Sequence, residues 1–234
     1  MLFYFIEKII YKASTRIVVF TESFKYNLIE KGVPKEKLHV VINGANLSLF
    51  QSPIYDADLA KSLELHDKFV VGYLGTHGLS HNLLNAIRAG ALISEDDIHL
   101  LFVGEGAEKE KMISLAKELN STNIHFIERQ MREDIPKYWG LCDVGLVHLK
   151  NDPVFETVIP SKIFETMASG RPIMYCGPNS DGARLIKKYD CGLVTSSDDP
   201  KTLAIHLRLL MKDSDLCERL AINGKKISPK FSRK

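Results

Sequence analysis

The chain has 234 residues, of which 45% are hydrophobic and 26% charged, and its formal net charge is +2. These values are ordinary for a globular protein, and without a long Lys/Arg block they give no electrostatic reason to expect nucleic acid. Four cysteines stand apart, with no Cys-x-x-Cys pair and no nearby histidines. This pattern argues against a zinc site or a disulfide framework and indicates reduced, buried thiols in a cytoplasmic protein.

An amphipathic helix is predicted over residues 2–14. Its apolar residues recur on one face, and we expect that face to pack against a core, with contact to a membrane surface as the minor alternative. The residues are Leu2, Phe3, Ile6, Ile9 and Ile10. No stretch of the chain reaches the roughly 20 apolar residues that a membrane-spanning helix needs.

Residues 1–50 are interpreted as the end of a preceding domain. Strands over 16–20 and 39–42 and a helix over 22–31 follow the first helix, and two strands are too few to close a sheet. Residues 46–53 have turn residues and no periodicity, as a linker does. The sequence therefore predicts a second domain over residues 51–234.

The second domain is predicted to be α/β, with a Rossmann-like parallel sheet and helices on both faces. Its strands are short, nearly continuous apolar runs that alternate with helices. The strands are predicted at 69–74, 98–103, 123–127, 143–148, 172–175 and 192–195, and the helices near 81–93, 107–119, 133–141, 160–169, 180–189, 200–212 and 215–226. Such a sheet binds ligands beyond the carboxyl ends of its strands.

The loop after the first of these strands contains Gly75, Thr76, His77 and Gly78. Two glycines let the backbone approach a ligand closely, and exposed amides suit an anion. His77 and the nearby His81 are candidate hydrogen-bond donors to phosphate. A tight strand-to-helix turn explains the same residues equally well, and the dinucleotide-binding fingerprint is not present.

The segment around residues 155–172 gives a stronger signal. Pro160 is expected at the first helical position, and the free amides of that turn form an anion site to which Lys162 adds a positive charge. Ser161, Lys162 and Glu165 share one face of the helix. Glu165 is placed to accept hydrogen bonds from both hydroxyls of a ribose, and Glu156 to reach a sugar beyond the phosphates. A surface ion pair between Lys162 and Glu165 is an equally good alternative.

Two further loops lie at the same edge of the predicted sheet. The loop over 128–136, which contains Arg129, is a candidate to flank a nucleobase, although a polar turn explains it as well. The Gly104–Gly106 turn is interpreted as structural.

Together these segments resemble the retaining glycosyltransferases of family four, also called glycosyl transferases group 1, which have the two-domain GT-B fold. The resemblance covers nearly the whole chain and is most specific in the block from Pro160 to Pro172. The supporting blocks are Ala13–Ser23, Ile42–Asn46 with Leu49 and Phe50, Gly72–Gly75, Phe102–Gly106 and Cys142–Leu146.

The resemblance implies that residues 51–234 are the C-terminal domain, which holds a nucleotide-sugar donor. Glu165 is then expected to bind the ribose, Ser161 and Lys162 to face the diphosphate, and Glu156 to contact the transferred sugar as the catalytic residue. The remaining residues expected at the donor site are Gly75, Thr76, His77, Gly78, His81, Arg129 and Ile159. No cofactor and no metal are expected, because basic groups and helix amides neutralise the diphosphate.

Two departures from the family pattern are visible. The two glutamates are nine residues apart rather than eight, which indicates the subgroup with Pro-Ser-Lys that is linked to O-antigen and capsule assembly. Thr76 and His81 stand where many relatives have Arg and Lys. The clamp on the diphosphate is therefore expected from Lys162, the histidines and backbone amides.

The expected activity is transfer of a hexose or N-acetylhexosamine from a nucleotide diphosphate sugar, UDP-linked by resemblance, to a polysaccharide or lipid-linked acceptor with retention. Since only residues 1–50 are assigned to the acceptor domain, we expect the chain alone to bind donor and to transfer poorly, with the missing domain in trans as one partner. A cytoplasmic location, peripheral at the inner face of the membrane, is expected. The alternatives are a UDP-N-acetylglucosamine 2-epimerase-like enzyme and a non-catalytic nucleotide-sugar-binding module.

Overall fold

The computed structural model describes residues 2–51 and 53–233, with the side chains of residues 2–4 left out. Within these ranges six strands form one parallel sheet and two strands form another. The strands are β1 (Ile17–Val19), β2 (Leu38–Val40), β3 (Phe69–Leu74), β4 (Ile98–Val103), β5 (Ile124–Ile127), β6 (Val144–His148), β7 (Ile173–Cys176) and β8 (Gly192–Thr195). The predicted α/β class with a parallel sheet is confirmed.

Helices cover both faces of the large sheet. They are α1 (Leu2–Ala13), α2 (Glu22–Glu30), α3 (Leu47–Phe50), α4 (Ala57–Ser62), α5 (Leu83–Ala91), α6 (Lys109–Glu118), α7 (Ile135–Leu141), α8 (Ser161–Ala168), α9 (Asp181–Tyr189), α10 (Pro200–Lys212) and α11 (Ser214–Ile227). Neighbouring strand residues point to opposite faces. Leu74 accordingly packs in a cluster with Phe164 of α8, and Tyr73 in a second cluster with Ile87 of α5.

The large sheet has the strand order β5-β4-β3-β6-β7-β8, with every pairing parallel. The chain moves outward from β3 to β5, returns to the other side of β3 with β6, and then moves outward to β8. Strand order therefore reverses between β3 and β6. In open α/β sheets, ligands bind beyond the carboxyl ends of the strands at this reversal.

The N-terminal segment has its own small sheet. β1 and β2 pair in parallel, and Val19, Leu28, Val33 and Leu38 form a separate buried cluster beneath α2. The other end of the chain returns to this region, because Ala45 and Ser232 form a parallel bridge. The proposed division near residue 50 stays a prediction.

The sequence prediction of an irregular linker over 46–53 was wrong for its first half. Leu47–Phe50 form the short helix α3, and Phe50 is 2% exposed in the cluster that also contains Phe164. Residues 57–62 form α4, which begins where Asp56 accepts a hydrogen bond from the Leu59 amide at 3.0 Å. Helices of four and six residues are too short for a periodic pattern to reveal them.

The expectation that α1 faces a core was also wrong for the described residues. Phe5, Ile6, Ile9 and Ile10 are between 42% and 63% exposed. The side chains of Leu2 and Phe3 lie outside the described residues. Periodicity identifies an apolar face but does not say what covers it. No helix in the described ranges is both long and apolar enough to cross a bilayer.

Buried histidines predict how stability depends on pH. His148 is buried, donates from Nδ1 to the His81 carbonyl at 2.7 Å, and has a pKa that burial lowers from 6.5 to about 4. Because the unfolded chain binds this proton more readily, the free energy of unfolding falls as the pH drops from about 6.5 towards 4. Each such histidine adds a slope of up to about 1.4 kcal/mol per pH unit.

We therefore expect urea unfolding at pH 7.5, 6.5 and 5.5 to show a stability loss that is smaller in His148→Gln. The exposed His39 offers the matched control. The free energy of unfolding of His39→Gln should change with pH as much as that of the wild type. Equal slopes in all three proteins would contradict the assignment to His148.

Candidate functional site

A cleft of about 560 Å³ opens at the carboxyl end of β3, β4 and β5. Loops after these three strands form its walls, and α8 contributes Glu165. Among the predicted site residues, Gly75, Thr76, Arg129 and Glu165 line it. The full lining is Phe50, Leu74, Gly75, Thr76, Val103, Gly104, Glu105, Gly106, Arg129, Gln130, Arg132, Ile135 and Glu165.

Bare backbone forms one side of the cleft. Gly75 has φ of +144° and Gly104 has φ of +146°, a region that residues with a side chain rarely adopt. A Cβ on Gly104 would collide with the Gly75 carbonyl, and the Gly75 amide donates to the Val103 carbonyl at 2.8 Å. The two loops thus pack directly against each other. Because neither glycine has a side chain, a ligand can approach the backbone of both loops closely.

Lys162 lies against the first glycine loop. Its Nζ is 4.8 Å from the centre of the Tyr73 ring, and a Cβ on Gly75 would lie 2.5 Å from the same atom. Burial lowers the pKa of Lys162, and the nearby Glu165 carboxylate opposes that shift. The cation therefore sits at the strand reversal in a poorly solvated place, where an anion would stabilise it.

Glu165 lies one turn beyond Lys162 on α8. Burial raises the pKa of its carboxyl, while Lys162, Arg132 and Arg233 lower it. The buried residues Ile163, Phe164 and Met167 hold the opposite face of the helix in the core. Glu165 therefore presents hydrogen-bond acceptors to the cleft from a rigid element.

The N-terminus of α8 carries no side-chain cap. Pro160 is the N-cap residue, with φ −60° and ψ 136°, and the helix begins at Ser161. The prediction of Pro160 as the first helical residue was therefore wrong by one position. Ser161 and Ile159 are half-buried beside this end. The Ile163 amide donates to the Pro160 carbonyl at 3.1 Å, and without a side-chain cap the amides of Ser161 and Lys162 remain suited to an anion.

The predicted histidines lie behind the glycine loop. The His77 ring is buried between Tyr73 and Phe102, with centroid distances of 5.9 and 6.1 Å, and it does not line the cleft. Neither ring nitrogen has a hydrogen-bond partner in the described residues, and burial lowers the pKa of His77 to about 4. Burial also lowers the pKa of His81. The rings therefore supply little positive charge near neutral pH.

Glu156 stands apart from the cleft. It is exposed and follows a short turn over 153–155, while its backbone carbonyl accepts a hydrogen bond from the Asp181 amide at 2.9 Å. Gly78 is half-buried at the start of the turn that ends at His81.

Sequence reasoning missed Glu105, which lines the cleft although the Gly104–Gly106 turn is interpreted as structural from sequence. Gln130 and Arg132 also line the cleft, and they belong to the candidate loop over 128–136. Glu105 accepts from the buried Lys109 at 2.5 Å, and Lys109 also lies 3.1 Å from Glu128. The shared position of these loops after neighbouring parallel strands was the available signal.

Comparison with known proteins identifies the family. The sequence profile described as "Glycosyl transferases group 1" matches residues 55–227. The chain belongs to this family. TuaH of Bacillus subtilis, named a putative teichuronic acid biosynthesis glycosyltransferase, is 28% identical over 73% of this chain and 44% of its own length. WcaI of Escherichia coli, named a putative colanic acid biosynthesis glycosyl transferase, is 29% identical over 64% of this chain and 37% of its own length.

The fold agrees with the family. HepE of Anabaena in complex with UDP and glucose superposes with a TM-score of 0.81 at 17% identity, over 96% of this chain and 61% of that chain. The GT-B resemblance predicted from sequence is therefore confirmed for the fold. This group 1 chain spans less than half the length of the two curated relatives.

We expect the Lys162→Met substitution to raise the free energy of unfolding by about 1 kcal/mol at pH 7, because it removes a desolvated cation and keeps the packing on Tyr73. Urea unfolding checks this. The exposed Lys150 offers the control, and Lys150→Met should change stability little. Destabilisation by Lys162→Met would show that the ammonium is well satisfied without ligand.

Proposed function

We propose that this chain holds the nucleotide-sugar donor of a retaining glycosyltransferase. The donor is a hexose or N-acetylhexosamine linked to UDP, and the acceptor is a polysaccharide or a lipid-linked glycan. One observation carries the proposal: Lys162 and Glu165 lie one turn apart on α8, and Glu165 lines a bare-backbone cleft at the carboxyl ends of β3, β4 and β5.

The comparisons support the general class of donor and the general class of pathway. HepE is described with UDP and glucose, which supports a uridine nucleotide. The names of TuaH and WcaI place those relatives in the biosynthesis of teichuronic and colanic acids. A role in the assembly of a surface polysaccharide, such as a capsule or a lipopolysaccharide, follows as part of the proposal.

The diphosphate is proposed to bind between Lys162, the start of α8 and the first glycine loop. Lys162 supplies a full charge, and the first-turn amides of α8 and the amides around Gly75 and Thr76 supply partial charges. As the bond from the anomeric carbon to the diphosphate breaks, negative charge grows on the leaving oxygen. Groups that are already oriented towards that charge lower the barrier, so the proposal requires neither a metal nor a cofactor.

The nucleoside is proposed to occupy the 560 Å³ cleft. Glu165 accepts hydrogen bonds from both ribose hydroxyls, and the loop with Arg129 and Gln130 flanks the base. Charge-assisted hydrogen bonds of this kind are about twice as strong as neutral ones. Glu156, on the loop that the first amides of α9 hold, is proposed to contact the transferred sugar beyond the diphosphate.

The acceptor-binding half is proposed to come from further polypeptide, in the same protein or in trans. The small sheet supports this, since parallel sheets are normally covered on both faces and a two-stranded sheet is marginal alone. Val18, Phe20, Val41 and Ile42 around it are 47% to 61% exposed. Such a protein is proposed to work in the cytoplasm, at the inner face of the membrane.

Glu165→Ala should weaken UDP binding by about 10-fold or more, because the ribose loses two hydrogen bonds to a charged acceptor. Isothermal calorimetry without metal measures this. The exposed Glu118 on α6 provides a matched control, for which Glu118→Ala should change the Kd less than about 2-fold. An equal loss of UDP affinity in both variants would show that Glu165 on α8 does not bind the ribose.

Lys162→Met should distinguish binding of the diphosphate from binding of the nucleoside. We expect UDP affinity to fall by about 10-fold or more, because a charge-assisted contact is lost, while uridine affinity stays unchanged. A parallel loss for uridine would mean that the substitution distorts the cleft instead of removing a phosphate contact.

A further inference from the structure

The loop that carries Glu156 is held through three consecutive backbone carbonyls. The first two amides of α9 donate to the carbonyls of Glu156 and Val158, at 2.9 and 3.2 Å. The carbonyl between them, that of Thr157, accepts instead from the hydroxyl of Thr21 at 2.8 Å. Thr21 precedes Thr157 by 136 positions, so this contact joins the N-terminal segment to the loop.

Thr21 is well suited to hold that carbonyl. It is 3% exposed, and its Oγ1 accepts a hydrogen bond from the Phe24 amide at 3.1 Å as the N-cap of α2. Because the cap occupies the oxygen as an acceptor, the hydroxyl hydrogen is free to donate to Thr157. The start of α2 and the loop are thereby fixed relative to each other.

A second contact runs from the same helical turn to α9. The Ser23 hydroxyl donates to Asp181 Oδ1 at 2.7 Å, and Arg184 donates to the same oxygen at 2.6 Å. Asp181 is the first residue of α9, and its amide is the one that holds the Glu156 carbonyl. Both sides of the loop therefore depend on residues 21–23.

A pocket of about 310 Å³ lies beside the contact between Thr21 and Thr157. It is lined by Phe20, Phe24, Val154 and Val158, among others. Interdigitated side chains would transmit a shift through many contacts. Beside this pocket, directional hydrogen bonds join the start of α2 to the loop and to α9.

We propose that Thr21 and Ser23 are positioning residues, which set the Glu156 loop for binding of the sugar part of the donor. The inference rests on the proposed function, in which Glu156 contacts the transferred sugar. It adds that the affinity for the sugar, but not for the nucleotide, depends on the docking of the segment over residues 17–40. Nucleotide binding uses α8 and the glycine loops, which neither residue touches.

The test compares UDP with UDP-glucose by calorimetry and uses the ratio of their dissociation constants. Thr21→Val and Ser23→Ala should each reduce the extra affinity for UDP-glucose by about 5-fold, the size of one net hydrogen bond, with the Kd for UDP within about 2-fold. Thr21→Ser keeps the hydroxyl and should restore the ratio. Ser48→Ala, which removes an exposed hydroxyl near Asn46, is the control.

Thermal unfolding of each variant shows whether it folds. If Thr21→Val does not fold, the measurements on Ser23→Ala alone decide the test. Normal UDP binding with an unchanged ratio in both variants would overturn the positioning role and leave the proposed function intact. A wild-type protein that binds both ligands equally would overturn it as well. Absence of UDP binding in the wild type would instead contradict the proposed function itself.

Discussion

The position of the partly buried Lys162 against the glycine loop is the constraint on which the site depends. A partly desolvated cation costs free energy unless it is paired, and within the described residues Lys162 Nζ lies over the Tyr73 ring and beside Gly75. Packing of Ile163 and Phe164 in the core keeps α8 in place against that cost. The protein thus holds a positive charge at the strand reversal before any ligand arrives, which is the arrangement that favours binding of a diphosphate.

The strand order explains how distant segments reach that charge. β3 lies between β4 and β6, so the loops after β3 and β4 meet beside the start of α8. The two glutamates are supported differently, because Glu165 stands on a packed helix whereas Glu156 stands on a loop held by α2 and α9. In the proposed function, recognition of the nucleotide is therefore built into the large sheet, and recognition of the sugar is tied to the N-terminal segment.

Continuous apolar runs predicted the strands of the large sheet well, and the strand over 69–74 has the predicted bounds. Glycine turns and the Pro-Ser-Lys block predicted a site at the carboxyl edge of the sheet, where the cleft lies, since loops after parallel strands converge. Other features of the structure are set by tertiary packing. Sequence did not reveal that α3 buries Phe50, that the apolar face of α1 is exposed, or that His77 turns away from the cleft while Glu105 lines it. Each depends on neighbours that are distant in sequence.

The most direct test of a poised cation at the donor site is the pKa of Lys162 itself. Heteronuclear NMR of the labelled lysine side chains, assigned with Lys162→Met, measures it with and without UDP. We predict a pKa below the ordinary lysine value in the free protein, because burial lowers it, and a higher pKa when the diphosphate is bound. If UDP binds and the pKa of Lys162 does not change, the ammonium is not the group that holds the diphosphate.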